Sequence, residues 1–278
     1  MAGISSQVNA ARAATEWLRA ELPTLTPQDW QTPNACGIWT VAEVAAHLVW
    51  AADLYSDAVC RALVDDVGPP RQLAVPESPT VTQTRMAEIA STYWQTLGDG
   101  VSDALMSRAQ APVALFERLA PTDWDRPAYH PGGVRPIRRL LAQYIVEVCV
   151  HGWDILHRPG REVALPEESH GPLIDALPGY LRGKFVPSAL LRGPERYSFK
   201  FGATVPGGVR LTVFGDRFEF EPQSDEIGSD AVLRMHPQTY VLLFLGRLGW
   251  PQALEAGDVV VTPRRDAAGR LAAWFGQS

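Results

Sequence analysis

The chain of 278 residues has three cysteines, Cys36, Cys60 and Cys149, with no C-x-x-C pair and no even framework. This argues against a disulfide-stapled fold, and the thiols read as small apolar residues in a reducing cytoplasm. No run approaches the roughly 18 apolar residues of a membrane span, and Tyr240 to Leu245, the longest, has core-helix length. The N-terminal stretch MAGISSQVNAARAATEWLRAEL lacks a charged region followed by an apolar block, so no signal peptide is expected. There is no basic run either. Arg138-Arg139 and Arg264-Arg265 are isolated pairs in a chain of formal net charge −6, which argues against nucleic acid as a partner. G-x-S-x-G, a P-loop, H-E-x-x-H and a strand-to-helix G-x-G-x-x-G are absent, as are internal repeats and low-complexity segments.

What is present is an ordinary globular composition, 46% hydrophobic and 20% charged, long enough for two domains. Val8, Ala11, Ala14, Leu18 and Leu22 recur at helical spacing over 7–22. A second helix opens at Thr40 with Glu43 three residues on, a capping box, and runs to about Val64. A third spans about Thr80 to Leu97, and 102–125 continues it or adds another helix. Arg135 to Leu156 is the last long helix of this half, stopped by Pro159-Gly160. Beyond residue 165 the period changes. RYSFKFGATV and GVRLTVFGDRFEFEP alternate with period two around Gly207-Gly208 and Gly215-Asp216 turns, and HPQTYVLLFLGRLG, DVVVTP and AAGRLAAWFG read as helix, strand and helix. The expected fold class is α plus α+β: an up-down four-helix bundle over 1–162, then a smaller α+β domain with an antiparallel sheet over 163–278.

The chemistry concentrates in YIVEVCVHGWDIL, 144–156. A carboxylate among Ile145, Val146, Val148, Cys149 and Val150 must be paired or bound, because burying it alone is costly. Tyr144, Glu147, His151 and Asp154 fall on one helical stripe. His47 lies in a similarly apolar helix, VAEVAAHLVW. One bundle can therefore bring His47, Glu147 and His151 to one ion. Three ligands with an open position suit catalytic zinc, and two histidines with one carboxylate also suit ferrous iron or nickel. By themselves, Glu147 and His151 also fit a structural pair, and a lone His47 a core histidine. Asp154 is a candidate to orient a ligand. Arg85, Arg234 and Arg247 are candidates for holding a substrate carboxylate, and each also reads as a surface residue. Trp39 and Trp50 flank His47 as pocket wall or core. His130 and His170, in Pro/Gly loops, His157 and His236 lie off this pattern.

The half up to residue 160 resembles the DinB-like bundles of the mycothiol-dependent maleylpyruvate isomerase family. The likeness rests on GIWTVAEVAAHL, with Trp39-Thr40 ahead of His47, and on YIVEVCVHGWDIL with its Gly-Trp-Asp. The tail, LRMHPQTYVLLFLGR with EAGDVVV, resembles the family's sterol-carrier-like domain. The resemblance implies a divalent metal, usually zinc, on His47, Glu147 and His151. It implies a low-molecular-weight thiol, typically mycothiol, as cosubstrate, and an actinobacterial cytoplasm. A free thiol has a pKa near 8.5, and an open metal position lowers it and presents the thiolate to a small electrophile. Addition, rotation and loss of thiol isomerises an alkene; addition or displacement without loss gives S-conjugation. Two alternatives stand beside this metal- and thiol-dependent S-transferase or isomerase: a non-catalytic carrier of an apolar ligand, and a metal-water hydrolase on the same triad.

Overall fold

The computed structural model describes residues 3–34, 39–75, 83–188, 191, 193–202, 205–223, 225–263 and 266–276. Cys36, Arg264-Arg265 and the expected helix start at Thr80 lie outside these residues. The chain divides into two compact units, Met1–Pro172 and Leu173–Ser278.

The first unit is helical. Helix α1 is Ile4–Glu21, and its stripe Val8, Ala11, Ala14 and Leu18 is buried as the spacing predicts. A short α2, Pro27–Gln31, leads to α3, Val41–Ala62. The capping box of α3 forms: the Glu43 backbone N–H donates to Thr40 Oγ1 at 3.3 Å, and the Thr40 N–H donates to Glu43 Oε2 at 2.8 Å. Helix α3 is buried on nearly every face and packs against the later helices of the bundle. These are α4, Gln83–Leu97; α5, Val101–Arg108; α6, Gln110–Phe116; and the helix from Ile137 onward. The region 102–125 thus adds a pair of helices rather than prolonging the third. Pro112 sits in the first turn of α6, where its missing N–H costs nothing.

A two-stranded ribbon follows, β1, Pro127–Ala128, against β2, Arg135–Pro136. The expected continuous helix 135–156 is instead three pieces: α7, Ile137–Val146, a π-helical turn Glu147–His151, and α8, Gly152–Leu156.

Helix α9, Glu167–Leu181, was not foreseen, because Gly171-Pro172 and Pro178-Gly179 read as breakers. It buries Leu173, Ile174, Leu177 and Leu181, and packing of that apolar stripe overrides propensity. It also places His170 in a helix rather than a loop.

In the second unit, β3, Glu195–Lys200; β4, Gly208–Val213; β5, Phe218–Pro222; β6, Ala231–Met235; and β7, Val259–Thr262, form one sheet ordered β5-β4-β3-β6-β7. The sheet is mixed rather than purely antiparallel. β5 lies at the far edge and β6, the next strand, on the other side of β3; β6 runs parallel to β3 and the other pairs are antiparallel. Helix α10, Pro237–Phe244, covers the sheet, with Tyr240 and Phe244 at 4.9 and 5.6 Å between ring centroids from Phe199. Helices α11, Trp250–Ala256, and α12, Ala267–Trp274, complete the unit. Among the described residues no helix is long and apolar enough to cross a membrane.

Candidate metal centre

Two segments of the first unit build the site. Helix α3 carries His47 in its second turn, and the Thr40 cap fixes where that turn begins. The π turn carries the other two residues at its ends, Glu147 and His151. A π turn inserts one extra residue into the winding, and such turns recur at functional sites. At its ends Glu147 and His151 face one point, while Val148, Cys149 and Val150 between them are buried.

One ligand atom from each of His47, Glu147 and His151 lies within 4.8 Å of the others. Glu147 Oε2 stands 3.2 Å from His47 Nε2 and 3.5 Å from His151 Nε2. Burial opposes ionisation of Glu147, but the hydrogen bond from His47 and the charge that His47, His151 and His130 take up in acid outweigh it and hold the carboxyl down to about 2. Burial is also the main influence on His47 and lowers its pKa, against the pull of Glu147. An ionised carboxylate beside a neutral imidazole is the protonation state a cation needs.

His151 is oriented from behind. Its Nδ1 lies 2.9 Å from Asp154 Oδ2, and Asp154 is 0% exposed. An ionised carboxylate only accepts, so the Nδ1–H donates and Nε2 is left facing Glu147. This is the carboxylate–histidine arrangement found behind metal ligands. Tyr144, the fourth member of the expected stripe, belongs to the core instead. Its hydroxyl donates to the Ala109 carbonyl, and its ring packs 5.6 Å from Tyr55.

Both tryptophans reach the site. Trp39 lies 5.1 Å from His47 and 6.0 Å from His151 between ring centroids, and Trp50 stacks on His47 at 5.6 Å. Trp50 Nε1 is tied to the Ala74 carbonyl at 2.8 Å. The arginines are placed differently. Arg85 pairs with Glu88 at 2.8 Å on an exposed face of α4. Arg234 pairs with Glu226, and Arg247 donates to the Leu245 carbonyl at 3.0 Å; both belong to the second unit. Cys149 faces away, and burial pushes its thiol up to about 12.

One nearby residue lay off the sequence pattern. His130, in the 129–134 turn between β1 and β2, is held down to about 4, chiefly by burial and also by Arg135, while Glu147 pulls the other way. Its Nδ1 accepts from the Gly132 N–H at 3.0 Å. Only the fold brings it within reach of the Glu147 charge, since the surrounding YHPGG reads as a plain turn.

Residues 11–156, more than half of the chain, match the family model described as the mycothiol maleylpyruvate isomerase N-terminal domain. Among solved structures, the crystal structure of the mycothiol-dependent maleylpyruvate isomerase is similar at 12% identity and a TM-score of 0.64, covering 94% of this chain and 93% of that one. A histidine-to-alanine mutant of that enzyme aligns with the same identity, coverage and score. At this identity the likeness speaks for the fold. No curated protein sequence matches.

Proposed function

This chain belongs to the mycothiol maleylpyruvate isomerase N-terminal domain family, and from that premise we propose that it is a metal- and mycothiol-dependent enzyme, an isomerase or S-transferase acting on a small electrophile. The observation that carries the reading is the convergence of His47 Nε2, Glu147 Oε2 and His151 Nε2 within the helical unit.

The donor set fits a divalent cation. Two ligands about 2.0–2.1 Å from a tetrahedral ion lie roughly 3.3–3.4 Å apart. The observed 3.2 and 3.5 Å separations bracket that spacing. His47, Glu147 and His151 would hold the ion, with zinc the leading candidate and iron or nickel accommodated by the same donors. When bound, it supplies Lewis acidity that lowers the pKa of a coordinating thiol toward neutrality.

The protein's own groups do the rest. Glu147 contributes the compensating negative charge. Asp154 holds the His151 ring in one tautomer and one orientation. Trp39 and Trp50 cover His47 and exclude water from that side. The thiol sulfur then adds to an activated alkene. Its new C–S bond displaces the π electrons onto the conjugated carbonyl, the former double bond rotates, and expulsion of the thiol restores the alkene in the other geometry. Protonation of the resulting enolate at carbon, with the C–S bond retained, gives a conjugate instead. A carrier of apolar ligands leaves the part-buried Asp154–His151–Glu147–His47 chain without a task.

The test is elemental analysis of the protein beside His151→Ala, followed by turnover of electrophilic acids with and without mycothiol. About one equivalent of metal, lost in the variant, with thiol-dependent turnover is the expected result. Turnover that needs metal but no thiol would convert the reading to a hydrolase, and absence of metal from supplemented protein would end it.

A further inference from the structure

A second polar site lies in the helical unit, further along α3 from His47. A cavity of about 460 Å³ is walled on α3 by Asp53, Ser56, Asp57 and Arg61, and across from it by Arg71 and Arg108. Its volume falls within the ~300–1,000 Å³ of small-molecule sites. The four α3 residues share one face, a polar stripe on a helix that is otherwise buried nearly all round.

The lining carries hydrogen-bonding capacity that the protein leaves unused. Ser56 Oγ, Asp57 Oδ2 and Arg61 Nε are buried and meet no hydrogen-bond partner among the described residues. Asp57 Oδ2 and Arg61 Nε stand 3.8 Å apart, beyond hydrogen-bond distance. Burying such atoms without a partner is costly, so a ligand that meets all three gains by entering.

Charge decides which ligand. Arg108 is already paired with Asp53 at 2.7 Å, Arg61 with Asp66 at 2.6 Å, and Arg71 acts on the same Asp66 charge. A carboxylate or phosphate drawn to the arginines would confront Asp53 and Asp57, and a cation would confront the arginines. A neutral ligand avoids both conflicts. It must donate to an Asp oxygen, accept from an Arg N–H and do either with a Ser hydroxyl. Adjacent alcohol groups do this, because each hydroxyl both donates and accepts. We infer that this cavity is a binding site for a polyhydroxylated unit, a sugar or cyclitol.

That unit has two possible sources, a free polyol or the polyol portion of a thiol cosubstrate. The second is supported by position and rests on the proposed thiol chemistry. Asp53 lies six residues, about 9 Å, along the helix from His47. Trp50 stands between them, stacked on His47 and tied to Ala74, the residue that follows the 70–73 segment lining the cavity.

The experiment is saturation-transfer NMR on the full chain with myo-inositol and methyl glucoside as probes, repeated on Ser56→Leu, which fills the cavity, and on Asp57→Asn, which keeps its shape. Transfer to at least one probe, reduced about fivefold or more in both variants, is expected. No transfer to either probe, or transfer unchanged in both variants, overturns the site. A second arm compares KM for mycothiol and for cysteine, a thiol without a polyol. A rise for mycothiol alone in Ser56→Leu assigns the site to the cosubstrate. Unchanged KM with lost probe binding assigns it to a free polyol. Absence of thiol turnover in the unmodified enzyme refutes the proposed function and leaves the NMR result standing.

Discussion

Replacing Asp154 by asparagine separates a metal-supporting role from a merely structural one. The side chain is fully buried and contacts His151 Nδ1 at 2.9 Å. Asparagine has nearly the same shape and can still accept the Nδ1–H through its amide oxygen, but it carries no charge. What is lost is the electrostatic push that makes His151 Nε2 a better donor. Removing such a partner typically lowers metal affinity 10–100-fold, about 1.4–2.8 kcal/mol. The same change relieves the desolvation of a buried carboxylate, so the metal-free fold has no reason to weaken. The assay is competitive zinc titration against a chromophoric chelator at neutral pH, with thermal melting of the metal-free proteins alongside. The expected result is a zinc Kd raised 10–100-fold with melting of the metal-free form nearly unchanged. A Kd within about twofold of the parent would refute the reasoning and reduce Asp154 to a core hydrogen-bond acceptor. The opposite pattern, unchanged affinity with a lower melting point, would refute it equally.

Glu147→Gln keeps the volume and removes the charge; it should abolish stoichiometric metal in elemental analysis while helical circular dichroism is retained. His130 gives a pH prediction. Its pKa is depressed from 6.5 to about 4, so its contribution to stability is complete above 6.5 and is lost as pH falls toward 4, where the unfolded chain takes up the proton first. At pH 4.5 the difference is on the order of 2 kcal/mol, and urea denaturation of His130→Gln should show a smaller stability loss between pH 7 and 4.5; parallel pH profiles would sink the idea. Gly152→Ala places a methyl 2.6 Å from Trp17 Cζ3 beside the His151 turn, which should cost about 1–3 kcal/mol in thermal unfolding. Thr40→Ala removes one half of the α3 capping box and should cost about 1 kcal/mol by the same measurement.

The sequence made some of this legible because certain signals are local. Thr40 and Glu43 mark the start of α3 within four residues, and the structure places the helix there. Glu147 and His151 stood out because charge inside an apolar run needs a partner, and the structure supplies His47 and Asp154. Other features have no local signature. The π turn is made of the same apolar residues an α-helix would use, so nothing in EVCVH marks the extra residue. Helix α9 hides behind its own prolines because the stripe that stabilises it is read only once it is packed. The parallel β3–β6 pair depends on where the chain returns after β5, a matter of topology rather than alternation. His130 comes near Glu147 through the turn between β1 and β2, and no spacing along the chain encodes that.

The π turn has an evolutionary corollary. A bulge of this kind is one residue more than an α-helix requires, so the site exists as an insertion within an otherwise ordinary helix. Deleting one residue between Val148 and Val150 would let α7 run into α8 without interruption, with a more regular ladder of backbone hydrogen bonds. The same deletion would bring Glu147 and His151 from four residues apart to three, a spacing that still shares a helix face but changes the distance between their ligand atoms. A one-residue deletion is therefore a way for a lineage to regularise this helix, and the ligand spacing is what such a deletion would change.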